Sequence, residues 1–243
     1  MEWRDQGVLL SVRLHGESAA IIEVFTAAHG RHAGVVRGGA SRKMAATLQP
    51  GSQLQVTWRA RLDHHIGAFT VEPLQSRAAL LSDHLALSGL NAICALLHAA
   101  LPEREEHAAL WRATMPLLAA MERGGDWLPD YLRWEMLLLE ELGFGLDLTR
   151  CAVTGSRDDL AFVSPKTGRA VSRAGAGDWS ARLLPLPQVL MGQGSGSRAE
   201  IGQGLAVTGH FLSREIATLN DRPLPEARAR FLALIARVRP DAT

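Results

Sequence analysis

The chain has 243 residues, 47% of them hydrophobic, a formal net charge of +1 and two cysteines, Cys94 and Cys151. That length holds one large domain or two to three small ones, with enough apolar content for real cores. It excludes a disulfide framework, and any basic surface has to arise from segregation of charge along the chain.

Segregation is present. Residues 1–80 carry nine basic side chains (Arg4, Arg13, Arg31, Arg37, Arg42, Lys43, Arg59, Arg61, Arg77) against six acids (Glu2, Asp5, Glu17, Glu23, Asp63, Glu72), and the last thirty residues are basic again. The start, MEWRDQ, has two acids and no apolar core, unlike a signal peptide. The longest apolar stretch, 86–101, is interrupted by Ser88, Asn91 and His98 and falls short of the roughly 20 residues that span a bilayer. A soluble, cytoplasmic protein is expected.

Residues 7–75 alternate with the period of β-strands. Strands are predicted at 7–14, 19–26, 31–37, 53–61 and 68–74, separated by turn signals at His15-Gly16, His29-Gly30, Pro50-Gly51 and 63–67. Between the third and fourth lies a glycine-rich basic loop, 38–46. The stretch 31–43, RHAGVVRGGASRK, contains four Arg/Lys side chains, one His and no acid. Glycines there let a backbone come close to a phosphate, and Lys/Arg contacts to phosphates give salt-sensitive affinity without sequence preference. Five short strands with a loop-borne basic patch fit an OB-fold barrel. Two uses fit that pattern, oligonucleotide binding and a protein-interaction barrel, and a charge run alone is equally a solvated loop. Phe25, Trp58 and Phe69 are available for base stacking, yet each sits in an alternating strand where a core position is equally natural.

From Leu80 the period becomes helical. Helices are predicted from Ser82 or Asp83 to Leu101 before Pro102, from 103 to 121, and from 126–130 to Gly143. The last is almost continuously apolar, as the central helix of a bundle would be. Residues 144–197 break the pattern: two brief strands, 160–163 and 169–172, flank a turn at 165–168, and 193–197 is a glycine-serine linker by composition. Helices return over 199–219 and from Pro225 to Val238.

Catalytic motifs do not emerge. There is no G-x-S-x-G, P-loop or G-x-G-x-x-G after a strand. His64 and His65 are adjacent, so on a strand or turn they point apart, and His98 and His107 lack a metal-helix spacing. No enzyme activity, metal or cofactor is expected. One oddity remains. Cys151-Ala-Val-Thr154 is followed, after seventeen residues, by Ser172-Arg-Ala-Gly175. The spacing is that of a zinc ribbon, C-x2-C-x15–20-C-x2-C, with one ligand kept and three replaced. One thiolate with Thr, Ser and Gly cannot hold tetrahedral zinc, so the region reads as a knuckle without its metal.

Together these features resemble the RecO family of bacterial recombination mediators, across essentially the whole chain. The resemblance is carried by Trp3-Arg-Asp-Gln-Gly-Val-Leu, by 26–30 with Val36-Arg-Gly-Gly-Ala-Ser-Arg42, and by Leu48-Gln-Pro-Gly51. It continues through 131–143, Leu146-Asp-Leu-Thr-Arg-Cys-Ala-Val-Thr-Gly155, and Phe162-Val-Ser-Pro-Lys-Thr-Gly168. The order and spacing of these segments carry the likeness; the missing zinc ligands depart from it. It implies an α+β chain: an amino-terminal five-stranded OB-fold over 1–79, then an α-helical domain over 80–243 with a degenerate zinc-finger-like knuckle inserted at 146–197. It further implies a non-enzymatic DNA repair role: binding single- and double-stranded DNA, annealing complementary strands, and helping to load RecA with RecR and single-strand-binding protein. On that reading Arg31, Arg37, Arg42 and Lys43 hold phosphates, and Arg59 and Arg61 extend the track. Arg112 and Arg133 are candidates for the rim of a groove that takes the acidic, apolar tail of single-strand-binding protein. The alternative is a non-catalytic bridging module whose barrel binds protein only.

Overall fold

The structure, a computed structural model, describes residues 1–62, 64–193, 196–221 and 223–237. Two compact units emerge. One comprises 1–123 with 225–231, the other 124–224 with 232–243.

The first unit begins with the strands β1 (Glu2–His15), β2 (Ala19–Thr26), β3 (Gly30–Val36), β4 (Gln53–Arg59) and β5 (Ala68–Gln75). They join in the order β1-β2-β3-β5-β4. β1 also pairs with β4, which closes the sheet into a barrel. All pairs are antiparallel except β3 with β5. β1 serves two partners because it is long: Glu2–Val8 pairs with β4 and Gly7–His15 with β2, and a bulge between Leu9 and Ser11 turns the strand between them. On β2, β4 and β5 the alternating residues fill the barrel: Ile22, Val24, Leu54, Val56, Trp58 and Phe69 are all buried there. On β1 the barrel core takes Leu9, out of phase with the alternation Val8, Leu10, Val12, Leu14, whose last member is exposed. Phe25, Trp58 and Phe69 are 0, 1 and 4% exposed, so all three are core rings and none is an exposed platform.

The basic loop is more ordered than its glycines predict. Ser41 caps a short helix, α1 (Arg42–Thr47), by accepting from the Met44 amide at 3.3 Å. Met44 and Leu48 pack against the barrel core, while Arg42 and Lys43 stay exposed.

Two further helices belong to this unit, α2 (His84–Ala100) and α3 (Ala108–Arg123). Asp83 caps α2 through the amides of Leu85 and Ala86, and α2 packs on β1, where the Cys94 thiol lies 3.8 Å from the Leu9 carbonyl. α3 starts five residues later than the periodicity predicts. The intervening chain is held flat on the barrel: Arg31 forms a bridge with Glu103, and the Arg104 amide donates to the Arg31 carbonyl at 2.8 Å. Arg104 itself adopts a left-handed φ of 65°. Gly30 makes this contact possible. Its φ is +59°, and a Cβ there would lie 1.8 Å from the Glu105 carbonyl oxygen. Gly30→Ala should therefore destabilise the first unit by about 3 kcal/mol, combining a left-handed penalty with a backbone collision. Urea unfolding followed by circular dichroism measures this, and a midpoint equal to wild type would show that the 101–107 segment does not press on β3.

The second unit contains α4 (Leu128–Glu141), α5 (Arg173–Ala176) and α6 (Arg198–Asn220), with a small sheet of β6 (Leu160–Val163), β7 (Ala170–Ser172) and β8 (Leu184–Pro185) in the order β7-β6-β8. A final helix, α7 (Glu226–Arg237), closes the described chain. The predicted continuation to Val238 and the middle of the 193–197 linker lie outside the described residues. Ser197 and Glu200 form a reciprocal capping box at the start of α6. Gly204 of α6 has a packing role: a Cβ there would stand 2.6 Å from Leu132 Cδ2 of α4. Between the same helices, buried Glu135 accepts from Tyr131 at 2.9 Å and Thr208 at 2.5 Å, which satisfies a carboxyl that would otherwise be costly to bury.

Candidate nucleic-acid interface

β3 ends at Val36, and Arg37 opens the turn into α1. The turn is tight because Gly39 lies against β2, where a Cβ would fall 2.7 Å from that of Ala20. The Ala40 amide completes the turn by donating to the Ser18 carbonyl at 3.1 Å. This fixes where Arg37 leaves the sheet. On the neighbouring strands, β4 ends at Arg59 and continues through Ala60 to Arg61, and β5 runs antiparallel beside it from Ala68.

These ends meet around one open cleft of about 610 Å³, lined by Val36, Arg37, Met44, Arg59, Ala60, Arg61 and residues 68–71. Phe69 and Val71 supply apolar lining, and Met44 comes from α1. Three of the predicted cations, Arg37, Arg59 and Arg61, thus line a single cleft; Arg42 and Lys43 are on the helix that carries Met44 but are not among the lining residues. All five are exposed. Arg37, Arg42, Lys43 and Arg61 form no ion pair among the described residues. Arg59 is paired with Glu2 at 2.7 Å. The hydrogen bond from Arg59 holds the Glu2 carboxyl below its usual range, and Glu2 in turn raises the guanidinium. The pair is solvent-exposed, so phosphate can compete for the guanidinium at little cost.

Arg31 stands elsewhere. Its side chain is 15% exposed and donates to Glu23 at 2.5 Å and to the Leu101 carbonyl at 2.8 Å. Glu23 also bonds His98 at 3.0 Å. Burial pushes the Glu23 carboxyl up, and the donors His98 and Arg31 more than offset this, leaving it lowered. Arg31 therefore fastens 101–103 to the barrel and does not line the cleft. Met44, Thr70 and Val71 also line the cleft; helix packing and strand register bring them there, and local sequence pattern does not mark them.

Arg112 is exposed on α3 in the first unit. In the second, Arg133 is exposed on α4, is paired with Asp130, and stands on a cleft of about 530 Å³ lined by Met136, Leu137, Leu146, Val189, Leu190, Glu140 and Asp147.

The zinc-ribbon spacing is realised in space. Cys151 Sγ accepts from the amides of Val153 and Thr154 at 3.4 Å, and from the amide and hydroxyl of Ser172 at 3.2 and 3.3 Å. A Cβ on Gly175 would lie 2.8 Å from the same sulfur. All four positions of the motif converge on Cys151, but the donors there are N–H and O–H groups directed at the sulfur. Zinc needs lone pairs in their place, so these residues do not fit the metal. Among the described residues no group of three or more His, Cys, Asp or Glu is placed to hold a metal ion, and no helix is long and apolar enough to cross a membrane. Burial pushes the Cys151 thiol up, and the hydrogen bonds from Ser172 and Thr154 outweigh it, bringing the thiol down to about 6.

Comparison with known proteins gives the family. Residues 1–77 match the family model "Recombination protein O N terminal" and residues 81–222 match "Recombination protein O C terminal". The chain is 73% identical over 238 residues to a DNA repair protein RecO of Cereibacter sphaeroides, covering 98% of this chain and 99% of the relative. It is 61% identical over 239 residues to the DNA repair protein RecO of Roseobacter denitrificans, covering 98% and 99%. With both halves matched and relatives aligned end to end, the chain belongs to the RecO family of DNA repair proteins.

Proposed function

We propose that this DNA repair protein binds single- and double-stranded DNA on its amino-terminal barrel and acts there as a recombination mediator without catalysing a bond change. The observation that carries the reading is the convergence of Arg37, Arg59 and Arg61 on one open cleft of the closed barrel, with the exposed Arg42 and Lys43 on the short helix that follows Arg37 in the chain. Five exposed cations on rigid strand ends and a capped helix suit a phosphate backbone, which carries regularly spaced charge and no demand for base readout. Annealing follows from the same surface: screening two polyanions lets complementary bases find one another, and no acid, base or nucleophile is required.

On this reading the barrel over 1–79 is the OB-fold, and 80–243 is the helical domain that works with RecR and single-strand-binding protein in loading RecA. The 146–197 region is a zinc knuckle whose metal has been replaced by hydrogen bonds to Cys151. The tail of single-strand-binding protein takes an apolar cleft with an arginine beside it, Arg133 or Arg112. The protein works in the cytoplasm, at the nucleoid.

Fluorescence titration of a labelled single-stranded oligonucleotide at two salt concentrations tests the reading. Affinity should fall steeply as salt rises, the logarithm of the binding constant changing by about 0.7 per phosphate contact for each decade of salt. Absence of binding at low salt would leave the bridging-module alternative. Binding indifferent to salt would remove the phosphate mechanism.

A further inference from the structure

The second unit exposes a tryptophan that its fold does not use. Trp179 lies in a single 3-10 turn, Gly177–Arg182, after α5, and 64% of its surface is in solvent. Burying an indole is worth a few kcal/mol, so a ring left out on a surface turn has forgone that gain. Its neighbours in the turn are Gly177, Asp178, Ser180, Ala181 and Arg182, small or polar residues that give it no apolar company. The Arg182 guanidinium sits over the ring, 5.0 Å from its centroid. Arg182 forms no ion pair among the described residues. From 166 to 182 the chain carries Lys166, Arg169, Arg173 and Arg182 against the single acid Asp178. Arg169 and Arg173 are engaged with Asp147 and Asp159; Lys166 and Arg182 form no ion pair among the described residues, and of these two Arg182 is the one that stands over the ring.

An exposed indole with an arginine stacked on it is the arrangement that single-strand binders use: the ring stacks on a base, and the guanidinium meets the phosphate beside it. Within the turn itself no other large apolar side chain accompanies the ring. We infer that Trp179 and Arg182 form a base-stacking contact for single-stranded nucleic acid, on the knuckle unit and separate from the barrel cleft. This rests on the DNA-binding reading above, and adds that unpaired bases, as well as phosphates, are held. A duplex hides its base faces, so the contact favours single strands over double.

The test uses the full-length protein and two labelled oligonucleotides of equal length, one with bases and one built wholly of abasic sites. Trp179→Ala should bind the base-bearing strand about fivefold to a hundredfold more weakly, the range that one stacked base supplies. It should bind the abasic strand as wild type does. Trp179→Tyr should recover most of the loss, and the exposure of the ring predicts unchanged melts for both variants. Arg182→Ala should weaken both strands and lower the salt slope. If Trp179→Ala binds the base-bearing strand like wild type, the ring serves something other than DNA and the inference falls while the barrel reading stands. An equal loss on both strands would also overturn stacking. Failure of the wild-type protein to bind either strand would remove both readings.

Discussion

The triple variant Arg37→Ala, Arg42→Ala, Lys43→Ala should bind single-stranded DNA about a hundredfold more weakly at moderate salt and melt like wild type. The magnitude follows from counterion release. Each lost phosphate contact removes about 0.7 from the slope of log affinity against log salt, so three contacts remove about 2 and, near 0.1 M salt, about two decades of affinity. The unchanged melt follows from the structure: all three side chains are exposed and form no ion pair among the described residues, and Ser41, not Arg42 or Lys43, caps α1. Arg31→Ala is the matched contrast. It removes the donor to Glu23 and to the Leu101 carbonyl, leaving a half-buried carboxylate with His98 as its remaining bonded partner, and should lower stability. Oligonucleotide titration across a salt series, with a melt on each variant, reads all of this. A triple variant that keeps its affinity and salt slope would place the DNA surface elsewhere.

That contrast shows what could be read from the chain and what could not. The strands were legible because every second side chain of β2, β3 and β4 turns to the barrel interior; on β1 the bulge after Leu9 shifts the phase, and Leu14 and Leu74 are exposed. β2 runs over the predicted residues without change. Arg31 and Arg37 are six residues apart in one basic run and look equivalent in sequence. Their difference arises from Glu23 on β2 and from the 101–105 segment, a contact across some seventy residues. Local pattern carries no trace of it. The helix inside the loop 38–46 escapes local pattern for a related reason: its order comes from Ser41 capping a helix whose Met44 and Leu48 are drawn onto the barrel core. Conversely, the spacing of Cys151, Thr154, Ser172 and Gly175 was legible as a motif, and the structure brings all four positions together around the Cys151 sulfur. What the spacing could not reveal is that backbone amides now converge on the sulfur.

That convergence makes the second unit sensitive to pH in a definite direction. The Cys151 thiol stands near 6 in the folded protein against 9.0 for an ordinary cysteine, so folding favours the thiolate and releases a proton wherever the unfolded chain would keep one. The stabilisation is fully present above about pH 9, shrinks as pH falls across the interval, and is gone below about 6, where both states hold the proton. Within the window it amounts to on the order of 1 kcal/mol per pH unit. Cys151→Ala removes the acceptor from the Val153, Thr154 and Ser172 amides, so the variant should be less stable throughout, and its deficit relative to wild type should widen from pH 6 to pH 9. Cys94 supplies the internal control. Burial pushes its thiol up to about 12, it has no comparable set of donors, and the deficit of Cys94→Ala should stay flat from pH 6 to 8 and shrink slightly, by about 0.4 kcal/mol, as pH reaches 9 and the unfolded thiol ionises. Denaturant unfolding of wild type and both variants at several pH values, with a chelator present to exclude a metal contribution, decides the matter. A Cys151 deficit that stays flat between pH 6 and 9 would mean that the sulfur is an uncharged acceptor and that the turn, not a thiolate, holds the knuckle together.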